Sequence, residues 1–248
     1  ITSNAYRAVY LTTSAAQSRM ARVAEGAEIP RAKLTTSTHQ INLLKYGRAL
    51  QATYESLRRQ RIDKIAFWLR QLALQTEMDK VSQAIYVLVN GDGNSSTAAD
   101  AWRAQTDFDS TATGKTLTLK AWWNFKLKFF PNFNLTHVLA AEGDIVKLGL
   151  VNLGSSSVPQ YLLDTSMAPG YANTLRDGTR YGVTADVASD TLVGIDATQA
   201  LERVTEVGSN ISEIERWVLS QEQILTMTEV EAFAVLNQGA TKTLLLES

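Results

Sequence analysis

No cysteine occurs among the 248 residues. Disulfides and thiolate chemistry are therefore excluded, and the absence fits a reducing compartment. Histidine is almost as scarce, with only His39 and His137. Zinc needs three or four ligands. Neither histidine has a second ligand near it in sequence, so both read as ordinary polar or packing residues. No run of 18 apolar residues occurs, so no transmembrane helix is expected. The start, Ile1-Thr2-Ser3-Asn4, shows no basic-then-apolar signal pattern and no initiator Met. A processed or partly recorded chain is the expectation. The nucleophile pattern G-x-S-x-G is missing as well.

What is present is ordinary for a folded protein, 45% hydrophobic and 20% charged, and the chain is long enough to bury a core without staples. It could be one or two domains. The charge is unevenly placed. Residues 1–92 carry 13 Lys/Arg against 7 Asp/Glu, net +6; residues 93–248 carry 11 against 18, net −7. A basic front and an acidic back can attract head to tail between copies. The plainer reading is that these charges solvate two faces.

The strongest pattern lies in residues 57–93. Ile62, Ile65, Ala66, Leu69, Leu72, Ala73, Val81, Ala84, Ile85 and Leu88 recur at three- and four-residue spacing. That is one apolar face of a helix. About 30 residues at 1.5 Å each give roughly 45 Å. Leu88-Val89-Asn90-Gly91-Asp92-Gly93 then reads as the stop, with Asn90, Gly91, Asp92 and Gly93 as the helix cap, because Gly and Asn accept the left-handed backbone.

Around this helix the expected elements are short. Residues 1–18 read as an extended arm with one short strand. Residues 19–56 read as a long polar hairpin. Met20–Val23 lead out, Glu25-Gly26-Ala27-Glu28-Ile29-Pro30 form the tip, and Leu34–Tyr54 return. Such a hairpin cannot stand alone and is expected to lie across something else. Residues 94–113 read as a loop anchored by Trp102 and Phe108. Leu117–Phe130 suits a helix ending before Pro131. Leu135–Leu139 reads as a strand, Ile145–Leu153 as helix or strand, and Leu192–Ile195 as a buried strand. Ala197–Val204 is expected to be a short helix and Ile211–Met227 one long strand. Glu229–Leu236 and Thr241–Leu246 follow as the last apolar segments.

The long helix running into Asn90-Gly91-Asp92-Gly93, preceded by the Ala24-Glu25-Gly26-Ala27-Glu28-Ile29-Pro30 loop, resembles the major capsid protein of tailed bacteriophages. The resemblance implies an α+β chain of the Hong Kong 97-type fold. It would have an N-terminal arm (1–18), an extension loop (19–56), a peripheral domain (57–93 and 209–248, the spine helix plus returning strands) and an axial domain (94–208). It implies a structural shell protein, not an enzyme, without cofactor or metal. The partners implied are further copies in pentamers and hexamers, with portal, scaffold or maturation protease, and decoration proteins. The shell would enclose double-stranded DNA without sequence-specific binding and touch no membrane. Its place would be the virion, after assembly in the host bacterial cytoplasm. The assembly surface would fall on Glu25, Glu28, Ile29, Pro30, Arg31 and Lys33 of the loop and on Arg58, Arg59 and Arg61. Some family members cross-link a loop lysine to a neighbour's asparagine. The expected position falls near Ile29, with Lys33 the nearest lysine, so no cross-link is assigned. An encapsulin shell storing an enzyme cargo shares the fold and is the alternative. An α+β enzyme with a site in residues 94–190 is the reading from another class.

Other motifs weigh less. Thr113-Gly114-Lys115-Thr116 has the end of a phosphate loop, but Asp109 stands where that loop needs glycine, so a polar loop is expected. Asn90–Asn94 lacks the spacing and final Glu of a calcium loop. Glu213 and Glu215 share one strand face, where a solvated or intersubunit role outweighs acid–base work. The Arg58, Arg59 and Arg61 cluster could touch nucleic acid. At the start of a helix, positive charge is unfavourable, so pairing with acids of the Glu202–Glu231 region in another copy is preferred.

Overall fold

The computed structural model describes residues 5–12, 22–29, 31, 35–59, 62–94, 97–153, 160–163 and 174–246. For 5–12, 35–39, 57–59, 62–66 and 68 the description is of the backbone. The architecture is α+β, with three sheets and one long helix that packs between two of them.

The first sheet is a two-stranded ribbon, β1 (Ala5–Thr12) antiparallel to β2 (Thr35–Asn42), in register from Ala5↔Asn42 to Thr12↔Thr35. The outgoing limb expected at Met20–Val23 is not a strand at its described residues, Arg22 and Val23. β1 supplies that partner instead. Its Tyr, Val and Leu content favours a strand.

The chain then passes through β3 (Leu44–Thr53) and α1 (Tyr54–Arg59) into α2 (Ile62–Asn90). The 29-residue α2 is about 43 Å long at 1.5 Å per residue. Its burial departs from the expected face. Ile85 and Leu88 are buried, and Leu69, Leu72 and Ala84 partly so, but Ala73 and Val81 are exposed and Val87 is buried instead. The C-terminal turns of α2 are wedged between two sheets, so burial there follows its neighbours on both sides and not a single stripe.

The second sheet comprises β3, β10 (Glu222–Val235) and β8 (Leu201–Thr205), with β9 (Ile211–Trp217) paired to the first half of β10. Two expectations fail here. Ala197–Val204 is not a helix. Asp196 caps a turn through Thr198 and Ala200, and Leu201 then enters β8 against Val235. Ile211–Met227 is not one strand. It turns back after Trp217, with Gln221 at φ 53°, and β9 pairs antiparallel with β10. In both places cross-strand pairing overrides local pattern.

The third sheet runs β4 (Asp100–Arg103), β11 (Thr241–Leu245), β7 (Thr191–Ile195), β5 (His137–Ala140) and β6 (Arg180–Val183). The β4–β11 and β5–β6 pairs are parallel and the others antiparallel. It packs against α3 (Leu119–Leu127) and α4 (Glu142–Gly149), forming the main core around Trp122, Phe125, Phe129, Leu148, Leu192 and Leu244. Thr118 starts α3 by accepting from the Ala121 N–H at 3.2 Å, an N-cap of about 1 kcal/mol. Residues 94–113, expected as loop, contain β4 and a π-helical turn at Ala104–Phe108. The stacking of Phe108 on Trp102, with ring centroids 5.7 Å apart, accompanies that turn.

Candidate assembly surfaces

The expected hairpin tip is a turn at Glu25-Gly26. Gly26 takes φ 80° and the Ala27 N–H donates to Ala24 at 3.0 Å. Ile29 is exposed, and Arg31 pairs with Glu28 at 3.2 Å. Both side chains of that pair are open to water, so it contributes little to the fold. Pro30 and Lys33 lie outside the described residues, as does Arg61.

Arg58 and Arg59 lie on α1, ahead of the long helix, and their side chains lie outside the description. Thr53 begins this short helix, its Oγ1 accepting from the Ser56 N–H at 3.3 Å. The acids expected to receive the arginines are already engaged at two positions. Lys80 binds Glu229 at 2.6 Å and Glu77 at 3.1 Å, and Arg203 binds Glu231 at 2.6 Å and Glu229 at 3.3 Å. Burial pulls the Lys80 ammonium toward neutrality, but hydrogen bonds to Glu229 and Glu77 outweigh it and hold it above its ordinary value. This cluster joins α2 to β8 and β10. Beside it lies a cleft of about 430 Å³ lined by Tyr46, Arg48, Leu72, Thr76, Lys80 and Glu229, among others.

Asn90–Gly93 does more than end a helix. Gly91 sits at φ 85° with its N–H on the Val87 carbonyl at 2.8 Å, and Gly93 at φ 89°. Asp92 Oδ1 accepts from the backbone and the side chain of Asn94, both at 3.1 Å, and Oδ2 accepts from the Val235 N–H at 3.1 Å. Asn94 also donates to the Gln40 carbonyl at 3.3 Å. One turn thus ties α2, β10 and β2 together. Burial would raise the Asp92 carboxyl, but these donors hold it below the usual range. A Cβ at Gly91 would lie 2.6 Å from Thr97 Oγ1 and 2.8 Å from Ala98 N, on a left-handed backbone. Gly91→Ala is expected to cost on the order of 2–3 kcal/mol from strain and crowding together. Urea unfolding of the unassembled subunit checks it. A change under about 0.5 kcal/mol, the level of an ordinary surface substitution, would refute the reading.

The remaining sequence candidates fall into place as structure. Lys115, in the phosphate-loop-like string, binds Asp190 at 2.6 Å. Lys147 bridges the same Asp190 at 2.6 Å and Asp144 at 2.8 Å, fixing α4 beside the third sheet. Asp109 accepts from Thr111 and Thr118 at the start of α3. His137 Nδ1 lies 3.0 Å from Thr136 Oγ1. The His39 side chain lies outside the description. Glu213 and Glu215 are exposed on β9. Among the described residues no group of three or more His, Cys, Asp or Glu is placed to hold a metal ion, and no helix is long and apolar enough to cross a membrane.

No protein-family model matches the chain, and no curated protein matches it in sequence. Solved structures do. The capsid of a native GTA particle, computed with C5 symmetry, superposes with TM-score 0.69 at 11% identity, covering 100% of this chain and 86% of that one. The chain has the fold of a phage major capsid protein. The capsid of Myoviridae phage XM1 superposes with TM-score 0.56 at 9% identity, over 98% of this chain and 86% of that one. The holo-SrpI encapsulin complex from Synechococcus elongatus gives 0.62 at 9% identity, over 100% and 84%. In this chain α2 lies between the second and third sheets, Ile85 packing on Val193 and Val87 on Phe233 and Val235. The surfaces sequence reasoning missed are apolar: Trp123, Leu127 and Phe130 on and after α3, and Ile214, Trp217, Val218 and Leu219 at the β9–β10 hairpin, all exposed. No local signal sets them apart, because periodicity counts every apolar residue as core.

Proposed function

We propose that this chain is a major capsid subunit that closes into an icosahedral shell around phage double-stranded DNA. The observation that carries the reading is the superposition of the whole chain on capsid subunits, from ribbon to last strand. The role is structural and not catalytic, and needs no cofactor. Copies would meet as pentamers and hexamers through the domain built on the third sheet. The ribbon would lap onto neighbours, and many weak contacts would sum over the shell. DNA would be enclosed without sequence reading, in a virion assembled in the host bacterial cytoplasm. Portal, scaffold or maturation protease and decoration proteins are the further partners of such a shell.

An encapsulin-type compartment is the second reading, supported by the encapsulin superposition. Negative-stain microscopy with mass analysis separates the two. Large hollow shells that hold DNA in an infected host support the capsid; small shells co-purifying with one enzyme support the compartment. A lasting monomer at micromolar concentration would remove both. Deleting Glu25–Lys33 is expected to leave the subunit folded and to prevent closed shells. Normal shells from the deletion would refute the loop's role.

A further inference from the structure

A second cleft, of about 350 Å³, opens where β5 and β6 begin, lined by Lys126, Asn134, Thr136, His137, Asp177 and Arg180, among others. His137 on β5 and Arg180 on β6 are register partners in a parallel pair. Neighbouring strands lie about 4.8 Å apart, so these two residues stand side by side.

The polar groups of the cleft are unequally employed. Lys126 Nζ donates to the Asp177 carbonyl and to Asp177 Oδ2, both at 3.2 Å, and to Thr179 Oγ1 at 3.3 Å. An ammonium has three donors, so none is left for a ligand. Asp177 is equally occupied. Its Oδ2 also accepts from Trp122 Nε1 at 3.0 Å, and its Oδ1 from the Thr179 N–H at 3.1 Å. Burial would raise this carboxyl, but those donors and the Lys126 charge hold it below its usual range. Asp196, the next acid, accepts from the Asn134 N–H at 3.0 Å and from Thr198. The charges of Lys126 and Arg180 cancel those of Asp177 and Asp196, so recognition in the cleft rests on hydrogen bonds more than on field. Two side chains remain open. The Arg180 guanidinium and the Asn134 amide have no hydrogen bond or ion pair among the described residues, and both residues are exposed.

His137 completes the pattern. Thr136 Oγ1 donates to the Ile195 carbonyl at 3.1 Å and accepts from the Ala197 N–H at 2.9 Å. A hydroxyl has one hydrogen, and it is spent on Ile195. The 3.0 Å contact with His137 Nδ1 is then a hydrogen bond only if Nδ1 carries the imidazole proton. That leaves Nε2 as an acceptor without a partner among the described residues. The cleft therefore offers the Arg180 fork and the Asn134 amide as donors beside one imidazole acceptor.

We propose that this cleft binds hydrogen phosphate. Its anionic oxygens take the Arg180 and Asn134 donors, and its P–O–H group donates to His137 Nε2. A carboxylate, a sulfate or the phosphodiester of a nucleic-acid backbone has no such proton and leaves Nε2 unpaired. The site is thereby independent of any enclosure of DNA.

The unassembled subunit is titrated with inorganic phosphate in mildly alkaline buffer at constant ionic strength, with the histidine ring nitrogens followed by NMR. His39 and His137 are the only histidines, and His39→Gln separates their signals. Before phosphate is added, the His137 proton is expected on Nδ1. Phosphate is expected to move the Nε2 signal until it saturates. Sulfate and dimethyl phosphate are expected to bind about tenfold more weakly, the cost of leaving one acceptor unpaired. Arg180→Gln changes an exposed side chain that holds nothing in the subunit. It is expected to unfold in urea like the parent and to weaken phosphate binding by about tenfold, through loss of a charge-assisted fork. A resting proton on Nε2, no saturable shift, equal affinity for sulfate, or unchanged affinity in Arg180→Gln would each overturn the site. All four outcomes leave the shell reading intact.

Discussion

Phe125→Ala is expected to destabilise the unassembled subunit by about 3–5 kcal/mol, the range for removing a fully buried aromatic side chain. Phe125 is 0% exposed at the centre of the largest core. Its ring meets Phe129 edge-on, with centroids 5.7 Å apart and planes at 88°. The ring also lies against the backbone of β7. A Cβ at Gly194 would be 2.9 Å from Phe125 Cε1 and 2.8 Å from Leu135 Cδ1. The strand has no side chain there because the ring occupies the space. Truncation removes the transfer energy of the ring and leaves a cavity that a strand backbone and a helix cannot close by small shifts. Urea unfolding followed by tryptophan fluorescence measures the loss. Phe130→Ala is the control, because Phe130 is exposed, and it is expected to stay within about 0.5 kcal/mol of the parent. Equal effects at the two positions would contradict the assignment of Phe125 to the core.

The contrast between these two phenylalanines marks how far the amino-acid sequence alone reaches. Apolar spacing identifies α2, the α3 segment before Pro131, and the buried strand at Leu192–Ile195, because each has a strong local period or a clear stop. It does not say which apolar residue faces protein and which faces water. Phe125 and Phe130 lie five residues apart, and tertiary contacts alone distinguish them. On α2 the same limit places Val81 inside and overlooks Val87, since a helix between two partners has more than one apolar face. The failures at Ala197–Val204 and Ile211–Met227 have a related cause. Strand identity there depends on β10, which is distant in sequence from β8 and folds back on β9 through a turn lacking glycine or proline. The Asn90–Gly93 stop is readable, because positive φ favours glycine. Its link to Val235 and Gln40 is not, because hydrogen-bond partners so far along the chain leave no local trace.

Arg203→Leu is expected to be about as damaging, at roughly 3–5 kcal/mol, the cost of leaving a buried charge without its partner. Arg203 gives Glu231 Oε2 both Nε, at 2.8 Å, and Nη2, at 2.6 Å. The Glu231 side chain is fully buried, and its Oε1 has no hydrogen-bond partner among the described residues. The carboxylate therefore depends on this one guanidinium for direct contact. Lys80 contributes only through space, since its short bonds go to Glu229 and Glu77. Arg203 itself is nearly half exposed on β8, so its loss opens no deep cavity. The damage comes from Glu231. That assignment predicts a rescue. Replacing both residues, Arg203→Leu with Glu231→Leu, is expected to recover most of the loss and end within about 1–2 kcal/mol of the parent, because an apolar pair needs no desolvated charge to be compensated. A double-mutant cycle on the unassembled subunit reads the coupling. If the double variant were as unstable as the two single changes added together, the pair would be two independent packing residues. The ionic tie between β8 and β10 beneath α2 would then have to be abandoned.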